Sequence, residues 1–348
     1  MKAKLLMVLK FFGFLLVGLF LLWLIYKDWD MKKLLEGLSK IDFGWLGIAM
    51  IIAMISHFLR AVRWKLMIEG MGHKVKTFNI FLSVLIMYLA NYAIPRMGEI
   101  TRCGIVRKYE NVPIPKLIGS VIIERTSDMF FLLALVLLML ITQMPVLIEF
   151  LSNNPKVHEN FIKMKPYLFI FLIASIIGIS FLWLIRKKVK QSFLYKKVEK
   201  TVKGFKEGLM SILTMKRKWE FIFYSLGIWL LYLITLYLSF KAFEPTVGLP
   251  FAAALSGLVL GSFGMVAPVQ GGIGAWHFMI INTLVIYGIS TPDGEMFALL
   301  AHGSQMILLV LAGFVALLIL PIYNLKYKRT KENTDQQSDL AETTTTAF

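Results

Sequence analysis

Long apolar segments, each close to the length of a membrane-spanning helix, dominate the hydrophobic pattern of this chain. A helix that crosses a bilayer needs about 20 consecutive apolar residues. Polar and basic residues are concentrated between these segments instead of alternating within them. The pattern therefore predicts an all-α polytopic membrane protein with six full transmembrane helices, at residues 5–26, 44–68, 127–148, 167–185, 219–240 and 296–323.

Two further apolar segments, 78–94 and 251–267, are interrupted by proline and glycine, one in each half of the chain. Proline removes a backbone donor and ends or kinks a helix. Non-helical backbone at membrane depth is tolerated only where protein or a wet cavity covers it. We therefore predict two broken hairpins, each re-entrant or built from short helices. The breaking residues are Pro95 and Gly98 in the first segment and Pro268, Gly271, Gly272 and Gly274 in the second.

Both interruptions have the form Pro-x-x-Gly, starting at Pro95 and at Pro268. Paired interruptions at corresponding positions are typical of transporters built from inverted repeats, whose site lies at the repeat interface. An inverted repeat is thus one interpretation, and a chance match of two short motifs is the other. Residues 251–288 fit either a re-entrant hairpin or two full crossings.

Composition supports a membrane location, since 57% of the residues are hydrophobic and 17% are charged, with a mean hydropathy of +0.70. The net charge is +17. The basic residues lie between apolar segments, so they are better interpreted as topology signals than as a nucleic-acid surface. Residues 186–218 contain 12 Lys or Arg and two Glu. By the positive-inside rule we expect this loop and both termini to be cytoplasmic, in the plasma or inner membrane.

The same pattern predicts one integral membrane domain over residues 1–325, within which 186–218 form a basic amphipathic cytoplasmic loop. Residues 326–348 are polar and are expected to form a disordered cytoplasmic tail. Cys103 is the one cysteine of the sequence, which excludes an internal disulfide and a cysteine-based zinc site. We expect no metal and no cofactor.

Charged residues beside apolar segments are candidate functional residues, because burying them in a membrane is costly. In the first cluster, Glu99 and Arg102 have the spacing to pair on one helical face. Arginine binds phosphate in a bidentate fork, and a carboxylate can position it. Ordinary interfacial anchoring of a loop is the alternative. The candidates are Asn91, Arg96, Glu99 and Arg102.

Two further clusters follow along the chain. Glu124, Arg125 and Asp128 place a cation between two carboxylates on one helical turn, although acids also favour a solvated helix start. The glycines after Pro268 allow close backbone approach or anion binding, whereas a tight turn needs glycine equally. Residues of lower rank are Arg60, Arg63, Gln270, His277 and His302.

In this order, these clusters resemble the lysylphosphatidylglycerol synthase transmembrane-region family over about Trp45 to Pro321. Family members usually have a Glu a few residues after the last glycine motif, whereas His277 stands near that place here. The motifs that carry the resemblance are Arg60-x-x-Arg63-Trp64, Asn91-x-x-x-Pro95-Arg96-x-Gly98-Glu99-x-x-Arg102, Glu124-Arg125-x-x-Asp128 and Pro268-x-x-Gly271-Gly272-Ile273-Gly274.

The resemblance implies a flippase-like protein, not an enzyme, that translocates a phospholipid or another anionic or aminoacylated lipid between leaflets. We expect no lysyltransferase domain, and we expect a homo-oligomer or a separate lipid-modifying enzyme as partner. The alternatives are a membrane enzyme or accessory subunit acting on polyprenyl-phosphate or glycolipid substrates, and a non-transporting scaffold. The expected headgroup ligands are Arg96, Arg102 and Arg125, and the expected positioning or proton-coupling residues are Asn91, Glu99, Glu124 and Asp128.

The topology can be tested with single-cysteine variants in a Cys103→Ser background. We expect Arg107→Cys and Lys188→Cys to be protected from a membrane-impermeant maleimide added outside intact cells, because both basic positions should face the cytoplasm. Labelling after permeabilisation is the control. Strong labelling of position 107 from outside would contradict the re-entrant hairpin.

Overall fold

The structure is a computed structural model that describes residues 31–94, 96–153, 215–267 and 269–345, with 22–27 and single positions elsewhere. Several predicted features lie wholly or mostly outside the described residues. These are the spans at 5–26 and 167–185, the loop at 186–218, Pro95 and Pro268.

The described part of the chain is helical, and its one isolated β-bridge joins Ile41 to Phe243. Two short 3-10 turns occur at Glu244–Thr246 and Gln270–Gly272. The helices are α1 (Met31–Ser39), α2 (Phe43–Gly70), α3 (Thr77–Ala93), α4 (Met97–Glu110), α5 (Ile114–Asn153), α6 (Lys218–Lys241), α7 (Phe251–Val266), α8 (Ala275–Ile286) and α9 (Thr291–Thr345).

Four described helices are long and apolar enough to cross a membrane, namely α2, α5, α6 and the Thr291–Leu325 part of α9. They contain the predicted spans at 44–68, 127–148, 219–240 and 296–323, so the prediction of apolar helices of membrane-spanning length is confirmed for these four among the described residues. The total of six spans stays a prediction, as do the inverted repeat and the boundary between the membrane domain and the tail.

Each predicted hairpin consists of two short helices that pack against each other, α3 with α4 and α7 with α8. The first break lies where the chain leaves α3 at Ile94 and enters α4 through Arg96, which has a left-handed φ of 63°. The Asn91 side chain accepts a hydrogen bond from the Gly98 amide at 2.8 Å. This bond satisfies one of the donors that a helix start leaves without a partner inside the helix.

Gly98 brings α4 against α3 at closer range than any larger residue allows. A Cβ on Gly98 would overlap the backbone oxygen of Met87 and lie 2.8 Å from the side chain of Asn91. By contrast, a Cβ on Gly104, on the same helix, would meet nothing within 4 Å. The hairpin therefore depends on glycine at position 98.

Helix α5 is one continuous element of 40 residues. The sequence predicted a span at 127–148, and the structure extends this helix in the N-terminal direction to Ile114. At 1.5 Å per residue such a helix is about 60 Å long, roughly twice the thickness of a bilayer's hydrocarbon core. Because the helix is continuous, Glu124 and Asp128 lie one turn apart on the same face.

Three groups of buried apolar side chains hold the helices together. The first surrounds Trp64 and includes residues of α2, α3, α4 and α6. The second includes Phe240 and Phe297 and joins α6, α7, α8 and α9. The third contains Leu85 and Leu320 and packs α3 against α9. The first hairpin is thus fixed between the helices before it and the last helix of the chain.

Replacing Gly98 by Ala should destabilise the protein by about 1–3 kcal/mol, the usual cost of overpacking, since the backbone of α3 has to move. Gly104→Ala should be neutral or slightly stabilising, because alanine favours helix and the site is open. Thermal unfolding of both variants in detergent measures the difference. Equal melting temperatures would show that α3 and α4 do not pack this closely.

Candidate functional site

The carboxylate of Glu124 is fully buried and receives three guanidinium groups from two other helices. From α4, Arg102 Nη2 lies 2.6 Å from Glu124 Oε2. From α2, Arg63 Nη2 and Arg60 Nη1 lie 3.3 Å and 3.6 Å from Oε1. Glu124 therefore connects α2, α4 and α5 at one point.

One turn further along α5, Asp128 binds the same two arginines of α2. Arg63 Nη1 lies 2.7 Å from Oδ1, and Arg60 Nη2 lies 3.4 Å from Oδ2. Arg63 Nη1 also donates to Ser225 Oγ at 3.1 Å, which adds α6 to the network. The sequence predicted Arg125 as the cation between these two carboxylates. In the structure, Arg63 and Arg60 occupy that position.

Aromatic side chains cover the arginines of this network. The guanidinium of Arg102 lies 4.3 Å from the ring centre of Trp64, and that of Arg63 lies 5.6 Å from the ring centre of Phe221. The indole Nε1 of Trp64 donates to Ser120 Oγ at 2.8 Å, which fixes the ring. Cation–π contacts of this kind stabilise a cation that has lost its water.

Arg60, Arg63, Arg102, Glu124 and Asp128, which we call the arginine network, carry three positive and two negative charges. One positive charge is therefore left over in a buried place. Several buried donors of the network have no hydrogen-bond partner: the Nε of all three arginines and Nη1 of Arg102. Buried charges and donors without partners are costly. The arrangement is thus suited to receive an anion.

Glu99 forms its ion pair with Arg125 of α5, and Arg102 forms its pair with Glu124. The sequence predicted instead that Glu99 and Arg102 pair within α4. The physical reason is that α4 packs against α5, so each side chain finds a partner across the helix contact. The ion pair of Glu99 and Arg125, which we call the outer pair, is more open than the arginine network. Of the Arg125 side chain 46% is exposed, and of the Glu99 side chain 22%. Arg96 is exposed.

The glycine motif of the second half lies apart from the arginine network but contacts the first hairpin. Gly271, with a φ of 56°, packs so closely on the Tyr92 ring that a Cβ would overlap it. Gly272 and Gly274 also have left-handed φ angles, of 76° and 80°. Gln270 is buried within this segment. The two interrupted segments therefore meet through Tyr92.

His277 and His302, both of lower rank in the sequence, lie together beside this segment. Their Nδ1 atoms are 3.5 Å apart, and both side chains are buried. No arginine or carboxylate of the network is a partner of either ring among the contacts of the described residues. The histidine pair is thus a polar centre separate from the arginine network.

Sequence reasoning ranked Arg60 and Arg63 low, because a basic pair at the end of a span usually anchors it at the interface. It did not single out Ser120, Ser225 or Tyr92. A serine inside an apolar span is a weak signal, since its hydroxyl can bond to its own helix. Ser225 does so, donating to the Phe221 carbonyl at 2.8 Å while it accepts from Arg63.

Comparison with known proteins gives one match. A family model described as "Lysylphosphatidylglycerol synthase TM region" matches residues 10–313 of the chain. No curated protein and no solved structure matches it. The matched range includes the arginine network, the outer pair and both interrupted segments.

Glu124→Gln should destabilise the protein by about 3–5 kcal/mol, because it leaves three buried arginines with one carboxylate. Glu99→Gln should cost about 1 kcal/mol or less, since its pair with Arg125 is partly exposed. Thermal unfolding in detergent provides the comparison. If the two variants lose the same stability, Glu124 is not the central ion of a buried network.

Proposed function

We propose that this chain, which belongs to the lysylphosphatidylglycerol synthase transmembrane-region family, translocates a phospholipid or another anionic or aminoacylated lipid between membrane leaflets. The family match confirms the resemblance found in the sequence. Together with the apolar helices, it identifies a multi-pass membrane protein linked to lipid handling. Movement of the lipid across the membrane is the further step, and it rests on the site.

The surplus positive charge of the arginine network carries the proposal. A lipid phosphate would supply the missing negative charge and accept hydrogen bonds from donors that have no partner in the protein. Arginine suits this role because its planar fork matches the geometry of phosphate oxygens. Arg102 is the strongest candidate ligand, since one nitrogen holds Glu124 while its Nη1 and Nε have no partner.

Arg96, which directly precedes α4, and Glu99 and Arg102 of α4 suggest a route for the headgroup. Glu99 and Arg102 are three residues apart, so they are neighbours on the surface of the helix. Their exposure decreases in that order, from an exposed Arg96 through a partly buried Glu99 to a fully buried Arg102. A phosphate that first meets Arg96 and Arg125 would then move inward toward Arg102.

When no lipid is bound, the carboxylates keep the arginine side chains in position. Glu99 occupies Arg125, and Glu124 occupies one nitrogen of Arg102. An arriving phosphate competes with these carboxylates for the same cations. Exchange between two anionic partners of similar strength keeps binding reversible, which transport requires. A site that held phosphate with arginines alone would release it slowly.

Proteoliposomes with a fluorescent phospholipid in both leaflets provide the test, with dithionite reporting the lipid that reaches the outside. We expect Arg102→Gln to lower the translocation rate about tenfold or more, because a charge-assisted hydrogen bond to phosphate contributes roughly 1.5–3 kcal/mol. Glu99→Gln should also reduce the rate, because Arg125 loses its competing partner.

The matched control is Arg107→Gln, which removes an exposed arginine from the same helix. It should transport at the wild-type rate, and the lipids that co-purify with wild type should be absent from Arg102→Gln. If both Arg102→Gln and Glu99→Gln translocate lipid at the wild-type rate, these charged residues have no role in transport. Chemical conversion of the lipid headgroup, without translocation, would instead support an enzyme acting on a phosphate-bearing lipid.

A further inference from the structure

Aromatic side chains lie beside the arginine network, one turn of α2 away from it. On this helix His57, Arg60 and Arg63 follow one another at intervals of three residues, so they are neighbours along its surface. Arg60 and Arg63 belong to the arginine network. His57 therefore continues the row beyond the network, and it is buried, with 7% of its surface exposed.

Side chains of α3 and α6 surround His57. The centre of its ring lies 4.5 Å from that of Tyr88 on α3 and 6.4 Å from that of Tyr232 on α6. Trp229, one turn before Tyr232, meets the Tyr232 ring edge-on at 6.0 Å. We call His57, Tyr88, Trp229 and Tyr232 the aromatic layer. Three of them, all except His57, are only partly buried, so the helices do not close the layer off.

Polar atoms of the aromatic layer lack hydrogen-bond partners, as some of the arginine network do. Within the described part of the chain, Nδ1 of His57, Nε1 of Trp229 and Nε of Arg60 are buried and have none. A buried polar atom without a partner costs about as much free energy as a lost hydrogen bond. These three atoms therefore point to a ligand that enters the layer.

The chemistry of the three atoms restricts what such a ligand offers. The indole Nε1 of Trp229 and the Nε of Arg60 only donate, whereas Nδ1 of a neutral His57 either donates or accepts. Hydroxyl groups accept and donate, so a ligand with hydroxyls satisfies all three. An ammonium group has donors only, and it would lie beside the surplus positive charge of the arginine network. The layer thus favours hydroxyls over amines.

The rings of the layer suit the carbon skeleton of the same ligand. Sites for small molecules are lined mainly by apolar and aromatic side chains, with a few polar groups that fix the orientation. The two tyrosine rings would cover the C–H groups of a polyol, while the three nitrogen atoms bind its hydroxyls. The layer therefore has both parts of a site for an uncharged polyol.

We propose that the aromatic layer binds the hydroxyl-bearing part of a lipid headgroup whose phosphate is held by the arginine network. The lipid is then a phospholipid with an uncharged polyol headgroup, either glycerol or a cyclic polyol. Arg60 joins the two parts, since its Nη atoms hold Glu124 and Asp128 while its Nε has no partner among the described residues. The inference rests on the proposed function for the phosphate, and it adds the contacts that select the lipid.

Native mass spectrometry of the protein in detergent measures lipid binding without transport. Wild type is titrated with phosphatidylglycerol and with phosphatidylpropanol, whose headgroup has the same charge and the same number of carbons but no hydroxyl. We expect phosphatidylglycerol to bind about tenfold more tightly, because each neutral hydrogen bond gained contributes roughly two- to tenfold in affinity. Phosphatidylethanolamine, which presents an ammonium group, should bind more weakly than either.

Two variants locate this preference in the aromatic layer. Trp229→Phe removes the indole donor, and His57→Phe removes both ring nitrogens while a ring stays in place. Each should lower the affinity for phosphatidylglycerol roughly two- to tenfold and leave that for phosphatidylpropanol unchanged. Trp219→Phe is the matched control, since Trp219 lies on the same helix with 74% of its surface exposed, and it should change neither affinity.

The wild-type comparison decides the inference even if a variant does not fold. Equal affinity for phosphatidylglycerol and phosphatidylpropanol would overturn it, as would tighter binding of phosphatidylethanolamine or of an aminoacylated phosphatidylglycerol. A preference that both Trp229→Phe and His57→Phe retain would also overturn it, because the hydroxyl contacts then lie elsewhere. Phosphatidylinositol separates the two kinds of polyol: binding tighter than that of phosphatidylglycerol supports a cyclic polyol, and weaker binding supports glycerol.

Translocation of the same lipids in proteoliposomes separates this inference from the proposed function. We expect the translocation rates to follow the order of the affinities. A protein that binds phosphatidylglycerol preferentially but moves no lipid would refute the proposed function alone. A protein that binds and moves phosphatidylglycerol, phosphatidylpropanol and phosphatidylethanolamine equally would support the proposed function and refute this inference.

Discussion

The need to compensate the buried charge of Glu124 organises the first half of this protein. A carboxylate away from water is tolerated only when cations and donors surround it, and Glu124 receives arginines from α2 and α4. Meeting that requirement fixes the rotation of α2, α4 and α5 about their axes. Asp128 and Ser225 extend the same constraint along α5 and to α6. The helix packing and the chemistry of the site therefore have one cause.

The hairpin of α3 and α4 carries Arg102, the member of the arginine network that does not come from α2 or α5. Gly98 lets the two short helices approach closely, and Asn91 satisfies the start of α4 where the chain is interrupted. The charges of α4 then follow one another from the exposed break to the buried network. An interruption of this kind exposes helix ends and charged residues that a continuous apolar helix would not have.

The second half places a different kind of polar group beside its own interruption. Two imidazoles, one from α8 and one from the long helix α9, lie beside the glycine-rich segment, and His277 accepts a hydrogen bond from the Gly274 amide. Tyr92 connects the two interruptions by packing on Gly271. The two interrupted segments therefore touch, which gives a movement of one segment a direct path to the other.

The sequence by itself determined the membrane class, four of the spanning helices, both interruptions and the family, and it named the members of the arginine network as candidate residues. It could do so because span length, helix breaking and local motifs depend on residues close together in the chain. Only the tertiary structure decided the partners. Glu99 and Arg102 have the spacing of a pair, yet each binds a residue of α5, because the packing of α4 on α5 sets the distances. Arg63, which resembles an interfacial anchor in the sequence, is fully buried between two carboxylates because α5 continues past it as one long helix.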